Sequence, residues 1–421
     1  MKLLRNFLSL AGAELAGKLL TFAAFAYLAR IAGPEGFGIV EFAGAVLLCA
    51  GLIVDQGFGP YGAREIAREP AHTPALVAEI VGARVILALA AYAGVILFAC
   101  LLDRSTILTQ LLLIYGVSLL ATPFLLQWVF QGHDRMNTVA TVQVIRAAVF
   151  AALVFVFVRD AGQLLRVAAA EVIAVSSAAG YGTWRYWRHF GAAVRARITF
   201  SPRLFREGVP IGLSQLFWVV RMSGATLILG LVASAEDVGF FAGALRILLA
   251  AHTFVWLYFF NLLPSLARAW QQGPRPFAQL IHGSLRAVTW GSVVAGAAWV
   301  SVSPAVITTV YGARFAPAAS VLQCLAGVCV IAALSGHYRF ALIAAGRQGA
   351  EMLTAACGAA TAVVLIPVGY TSAGVTGAAL ALLAAEAVVW LAAWWCSRRL
   401  LGLQGYAAML ARPVLDAAAQ R

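Results

Sequence analysis

Charged residues are scarce. Lys, Arg, Asp and Glu make up 11% of 421 residues, where a soluble chain carries roughly 25%. A water-covered globule is excluded on that ground. With 62% hydrophobic residues and a mean hydropathy of +0.89, the bilayer is the remaining environment. Metal-binding patterns are lacking as well. Cys49, Cys100, Cys324, Cys329, Cys357 and Cys396 sit in apolar runs with no CxxC spacing, and the six His are scattered with no HExxH pair. Buried free thiols and no bound metal or cofactor are expected. Nucleotide-binding loops are lacking too. Gly33, Gly36 and Gly38 crowd into "ARIAGPEGFGIVEFAGAVLL", but they match neither GxGxxG nor a Walker loop, and no strand precedes them.

Long apolar runs fill the chain. A helix crosses the hydrocarbon in ~20 residues, and twelve segments meet that length: 9–32, 37–59, 76–102, 106–130, 137–158, 163–184, 207–233, 237–262, 278–303, 316–338, 350–370 and 374–396. Glu14 and Lys18 in the first of them, and the lack of a small-residue cleavage site, argue against a cleaved signal. The fold class expected is therefore an all-α polytopic membrane protein. Alternate connections hold nineteen Lys and Arg, against four (Arg30, Arg104, Arg159 and Arg314) in the opposite set. By the positive-inside rule both termini face the cytoplasm. The formal charge of +13 then needs no nucleic acid, and the most basic stretch, Arg185 to Arg203, reads as a connector resting on anionic headgroups.

The chain carries an internal echo. "AEDVGFFAGALRILLA" from Ala235 echoes "PEGFGIVEFAGAVLLCA" from Pro34: an acidic residue and a Gly open each, and Phe-Ala-Gly-Ala follows, with a Gly-to-Phe spacing that differs by two residues. Each echo opens the second helix of a six-helix half. The expected organisation is a lobe over 1–184, a basic linker over 185–206, a second lobe over 207–400 and a cytoplasmic tail over 401–421. Duplicated halves are a recurring transporter architecture, with the site between repeats. The external turns are all short, which disfavours a membrane polymerase or glycosyltransferase that must shape an acceptor pocket outside the bilayer.

A charge at the bilayer centre costs ~2.5–3.5 kcal/mol on insertion scales, so each one within a span asks for a reason. Arg84 lies close enough to a surface to snorkel. Glu14 and Lys18 stand at i, i+4 and can pair along one helix. Arg146, Arg221 and Arg246 lie deep with no acidic residue at i±3 or i±4. Two readings stay open for them: lining a cationic cavity, or pairing with carboxylates on other helices. A cavity of Arg146, Arg221, Arg246 and Lys18 suits a diphosphate, because guanidinium binds two oxygens at once and stays charged. Glu14, Glu41 and Asp55 are the candidate carriers for a coupled H⁺ or Na⁺, with Asp55 equally suited to capping or pairing with Arg64.

"YLARIAGPEGFGIVEFAGA" and "DQGFGPYGAREIAR" resemble the opening landmarks of the polysaccharide transporter family, the O-antigen flippases. "VFQGHDRM", "DVGFFAGALRI", "VYGARFAPAA" and "IAAGRQG" are similar to its later landmarks, in order. The resemblance implies membership of the multidrug/oligosaccharidyl-lipid/polysaccharide flippase superfamily, with two six-helix lobes around a central cavity. It further implies an inner-membrane flippase that moves undecaprenyl-diphosphate-linked oligosaccharide outward by alternating access, beside polymerase and chain-length proteins in O-antigen, lipopolysaccharide or capsule synthesis. It implies no enzyme chemistry. A drug exporter of the multidrug and toxin extrusion type shares the fold and stays as the alternative.

Overall fold

The computed structural model describes residues 2–102, 104–191, 193–197 and 202–403. Thirteen helices follow in order: α1 Lys2–Asp55, α2 Phe58–Arg68, α3 Thr73–Leu102, α4 Thr106–Ala121, α5 Gln127–Gly132, α6 Met136–Phe157, α7 Leu164–Phe190, α8 Pro202–Arg221, α9 Gly224–Val232, α10 Ala235–Gln272, α11 Pro274–Tyr311, α12 Ala318–Ala344 and α13 Gln348–Leu401. No strand occurs among the described residues. The chain is thus an all-α polytopic membrane protein, as the hydropathy requires: only a helix satisfies its own backbone in hydrocarbon, apart from a closed barrel. Of the expected tail over 401–421, residues 404–421 lie outside the described residues.

Among the described residues nine helical stretches are long and apolar enough to cross a membrane, or ten with the bent pair α8 and α9, against the twelve expected. Two of the nine explain the difference. Helices α1 and α13 run 54 residues each and are broken by residues off helical geometry, at Gly33 in one and at Ala373 and Gly374 in the other. Fifty-four helical residues reach about 80 Å, well over twice the ~30 Å hydrocarbon thickness. Each therefore has the length of two crossings.

The opening glycines divide their labour. Gly33 takes φ 69° and ψ 179°, a conformation that favours a residue without a Cβ, and the helix resumes at Pro34 with no loop between. Gly36 and Gly38 are helical, so the expected turn over residues 33–36 shrinks to one residue.

Two compact units divide the chain. The first holds Met1–Val219 with Ala233–Gly239, the second Val220–Val232 with Phe240–Arg421. Within the first, the start of α10 lies against α1 in a reciprocal contact. A Cβ on Gly38 would fall inside the contact distance of the Ala235 carbonyl oxygen, and a Cβ on Gly239 inside that of the Pro34 carbonyl oxygen. Counted from the openings of the two stretches, Pro34 stands opposite Ala235 and Gly38 opposite Gly239, so each stretch presents a glycine to the first carbonyl of the other. Small residues at helix contacts let backbones meet in this way.

Also in the first unit, Phe58, Tyr61, Ile80, Trp128 and Tyr186 form an apolar core joining α2, α3, α5 and α7. In the second, Leu285, Leu334, Tyr338 and Ala393 join α11, α12 and α13.

Candidate functional site

The charges buried in the helices settle mostly into pairs. In the second unit α8 ends on Arg221, where a 51° bend separates it from α9. A cation at a helix C-terminus complements the carbonyl end of the dipole. Arg221 forms an ion pair with Glu386 of α13, both side chains at 1% exposure. Ser335 of α12 donates to the second Glu386 oxygen at 3.4 Å. Gly358 of α13 faces the Arg221 stem, where a Cβ would lie 2.9 Å from Cδ. A guanidinium enclosed so completely presents nothing to a cargo in this conformation. Nearby in sequence, Arg339 and Glu351 join α12 to α13 with Nε–Oε1 at 3.0 Å.

In the first unit Asp55 pairs with Arg84 of α3, not with Arg64, which reaches Glu207 of α8 at 3.1 Å and Glu65 at 3.3 Å. Arg84 does not snorkel. Its side chain is 5% exposed, held between Asp55 and the ring of Trp128, whose centroid is 5.8 Å away. Arg146 of α6 meets Glu171 of α7 at 2.5 Å while half exposed. Lys18 and Glu14 pair along α1 at 2.9 Å, also half exposed. Arg246 and Glu41 are partly buried, and each has an interaction partner.

The expected site residues are thus distributed. Lys18, Glu14, Glu41, Asp55 and Arg146 belong to the first unit, Arg221 and Arg246 to the second. Of the deep arginines, Arg221 is enclosed by its partner and Arg146 keeps an accessible face. Sequence reasoning missed Asp55–Arg84 and Arg339–Glu351. For Asp55 and Arg84 the available signal was a lone charge of each sign in successive apolar segments, each costly in lipid until it finds the other; Arg339 falls in a connection between segments and gave none.

A third polar cluster lies in the second unit. Ser284 of α11 donates to His337 Nε2 at 2.8 Å, His337 Nδ1 donates to the Ala333 carbonyl at 3.0 Å, and the Tyr258 hydroxyl meets Ser284 Oγ. The Ser–His spacing is that of a nucleophile and its base. Here the His is oriented by a helix carbonyl rather than a carboxylate, and the Ser oxygen is already occupied by Tyr258. The cluster reads as a tie across α10, α11 and α12.

Among the described residues no group of three or more His, Cys, Asp or Glu is placed to hold a metal ion. Between α5 and α6, His133 lies beside Thr73 at 2.9 Å. Burial, His189 and Arg135 hold its pKa below the usual 6.5.

The fold and the family can be compared with known proteins. A search of curated protein sequences finds no match. Among solved structures, an inward-facing multidrug resistance MATE family transporter of the MOP superfamily superposes with a TM-score of 0.75 at 15% identity, over 91% of this chain and 94% of that one. The lipid II flippase MurJ in its inward closed conformation gives 0.73 at 14% identity, over 92% and 87%. A MOP superfamily transporter from Pyrococcus furiosus, described by the reversed polarity of its binding pocket, gives 0.64 at 14% over 95% of each chain. At such identities the likeness establishes the fold. The sequence profile of one family, described as polysaccharide biosynthesis protein, matches residues 3–270. The chain belongs to the polysaccharide biosynthesis protein family, on a fold shared with MOP superfamily transporters.

Proposed function

We propose that this protein is a flippase that carries a lipid-linked oligosaccharide, its glycan joined to undecaprenyl diphosphate, from the inner to the outer leaflet of a bacterial inner membrane. The observation that carries the reading is the family match over residues 3–270 on a fold shared with a lipid II flippase. In this reading 1–184 and 207–400 are six-helix lobes around a cavity open to either side in turn. Residues 185–206 link them, and both termini face the cytoplasm. The protein moves its cargo without changing it, so no residue is assigned a catalytic role. Its product feeds a surface-polysaccharide pathway such as O-antigen or capsule, with polymerase and chain-length proteins downstream.

Arg146, Arg246 and Lys18 are the candidate contacts for the diphosphate, with Arg221 kept as an internal counter-ion. Glu14, Glu41 and Asp55 are candidates for ion coupling, and Asp55 must leave Arg84 to serve. A guanidinium that contacts phosphate is worth more than a charge alone, because its fork fixes orientation.

The test is surface glycan in cells carrying Arg146→Ala or Arg246→Ala at normal expression. Loss of surface glycan, with lipid-linked oligosaccharide accumulating on the cytoplasmic face, is expected. Full surface glycan in both variants overturns the cationic contact. The MATE likeness favours a second reading, a drug exporter. That reading requires raised drug sensitivity on deletion, with surface glycan intact.

A further inference from the structure

The first unit contains a cavity of ≈ 580 Å³ at the basic end of α7. Its floor is one face of that helix: Ser176, Gly180, Thr183, Trp184 and Trp187 recur at helical spacing. The end of α4 and Phe124 form one wall, and Val194, in the segment after α7, forms another. The lining is apolar in effect. The Thr183 hydroxyl donates to the carbonyls of Ala179 and Gly180, at 3.0 and 2.9 Å, and so turns its methyl to the cavity. Gly180 leaves the floor open, since a Cβ there would meet nothing within 4 Å.

The rim is cationic. Arg185 and Arg188 sit over the Trp184 ring, at 5.9 and 5.4 Å from its centroid. Among the described residues, buried Arg185 Nε has no hydrogen-bond partner. Trp184 and Trp187 are 44% and 55% exposed, as aromatic side chains at the membrane interface are. The slot therefore begins in hydrocarbon and ends at headgroup level. Its volume falls in the range of small-molecule pockets, ~300–1,000 Å³.

We infer that this slot binds one anionic phospholipid, an acyl chain lying along Ser176, Gly180 and Thr183 and the phosphate held by Arg185 and Arg188. The charge selects the occupant: in a zwitterionic headgroup the phosphate is partly cancelled by its own ammonium, whereas an anionic headgroup leaves its full charge to the two rim guanidinia. Basic pockets between membrane helices recruit anionic lipid in this way. The site lies apart from the proposed cargo contacts, and none of Lys18, Arg146, Arg221 and Arg246 lines it. It does not depend on the transport reading.

The experiment uses the full chain in nanodiscs of mixed phosphatidylglycerol and phosphatidylcholine, with retained lipid counted by native mass spectrometry. One retained phosphatidylglycerol is expected, preferred over phosphatidylcholine by about fivefold or more. Arg185→Gln with Arg188→Gln should bring that preference close to one. Gly180→Leu places its Cβ in open space, puts the rest of its side chain into the slot, and should abolish retention with the thermal transition unchanged. Inorganic phosphate at the same concentration should not displace the lipid, because the chain supplies part of the binding. Equal retention of both lipids would show that net headgroup charge is not selected and overturn the inference. So would full retention in Gly180→Leu, which would place the lipid elsewhere, or displacement by free phosphate.

Discussion

Arg221 and Glu386 carry opposite charges into a place where neither touches solvent, and the energetics of such a pair are lopsided. Desolvation cancels much of the attraction, yet removing one partner strands the other charge and costs about 3–5 kcal/mol. Arg221→Ala should therefore lower stability by about that amount, read as a fall in denaturation midpoint in detergent. The double variant Arg221→Met with Glu386→Leu should recover most of it, since apolar replacements of similar volume are often neutral. A double variant as unstable as the single one would mean the pair contributes more than its own neutralisation. The sequence placed Arg221 among deep charges with no partner on its own helix, with pairing to a carboxylate on another helix as one of its two readings. What it could not supply was the pairing, which depends on α8 ending at the depth where α13 presents its carboxylate. Arg84 teaches the same lesson in reverse. Its position near a surface suggested snorkelling, but Asp55 and the Trp128 ring offered a closer counterpart than the headgroups.

Helices meet backbone to backbone where α1 and α10 cross. Gly38→Ala or Gly239→Ala must push a carbonyl aside, and overpacking of that kind costs about 1–3 kcal/mol. Gly44, two turns along the same helix, has nothing within 4 Å of an added Cβ. Gly44→Ala should be neutral or stabilising by about 0.5–1 kcal/mol through helix propensity. Thermal melts of the three variants check the contrast, and equal effects at all three positions would remove the crossing as the cause. Much of the helical layout was legible beforehand, because apolar length in a bilayer leaves few alternatives. The breaks were less so. Hydropathy marks where a span must end but not whether the chain leaves helical geometry there. Gly33 needs a single residue to do it, whereas the segment over 207–233 divides at Arg221 into α8 and α9 for a reason its apolar composition conceals.

At the scale of the whole molecule, the proposed cargo meets the membrane potential. Moving negative charge outward across an inside-negative membrane is favoured by ~2.3 kcal/mol per charge per 100 mV. A diphosphate carried without compensation gains several kcal/mol at ordinary potentials. Collapsing the potential in proteoliposomes should then slow outward movement of the lipid-linked oligosaccharide. A rate insensitive to potential would mean that cations travel with the cargo or that its charge is neutralised throughout. The excess of Lys and Arg, +13 overall, concentrates on one set of connections and fits an anionic leaflet on that side. That bias is what the expected orientation rests on, whereas the partners of the intramembrane charges were not legible, because pairing is a property of the assembled bundle.

The contact of Gly38 with Ala235 and of Gly239 with Pro34 couples two stretches that lie far apart in the sequence. A side chain added at either glycine must displace a carbonyl of the other stretch, so neither position is free to change on its own.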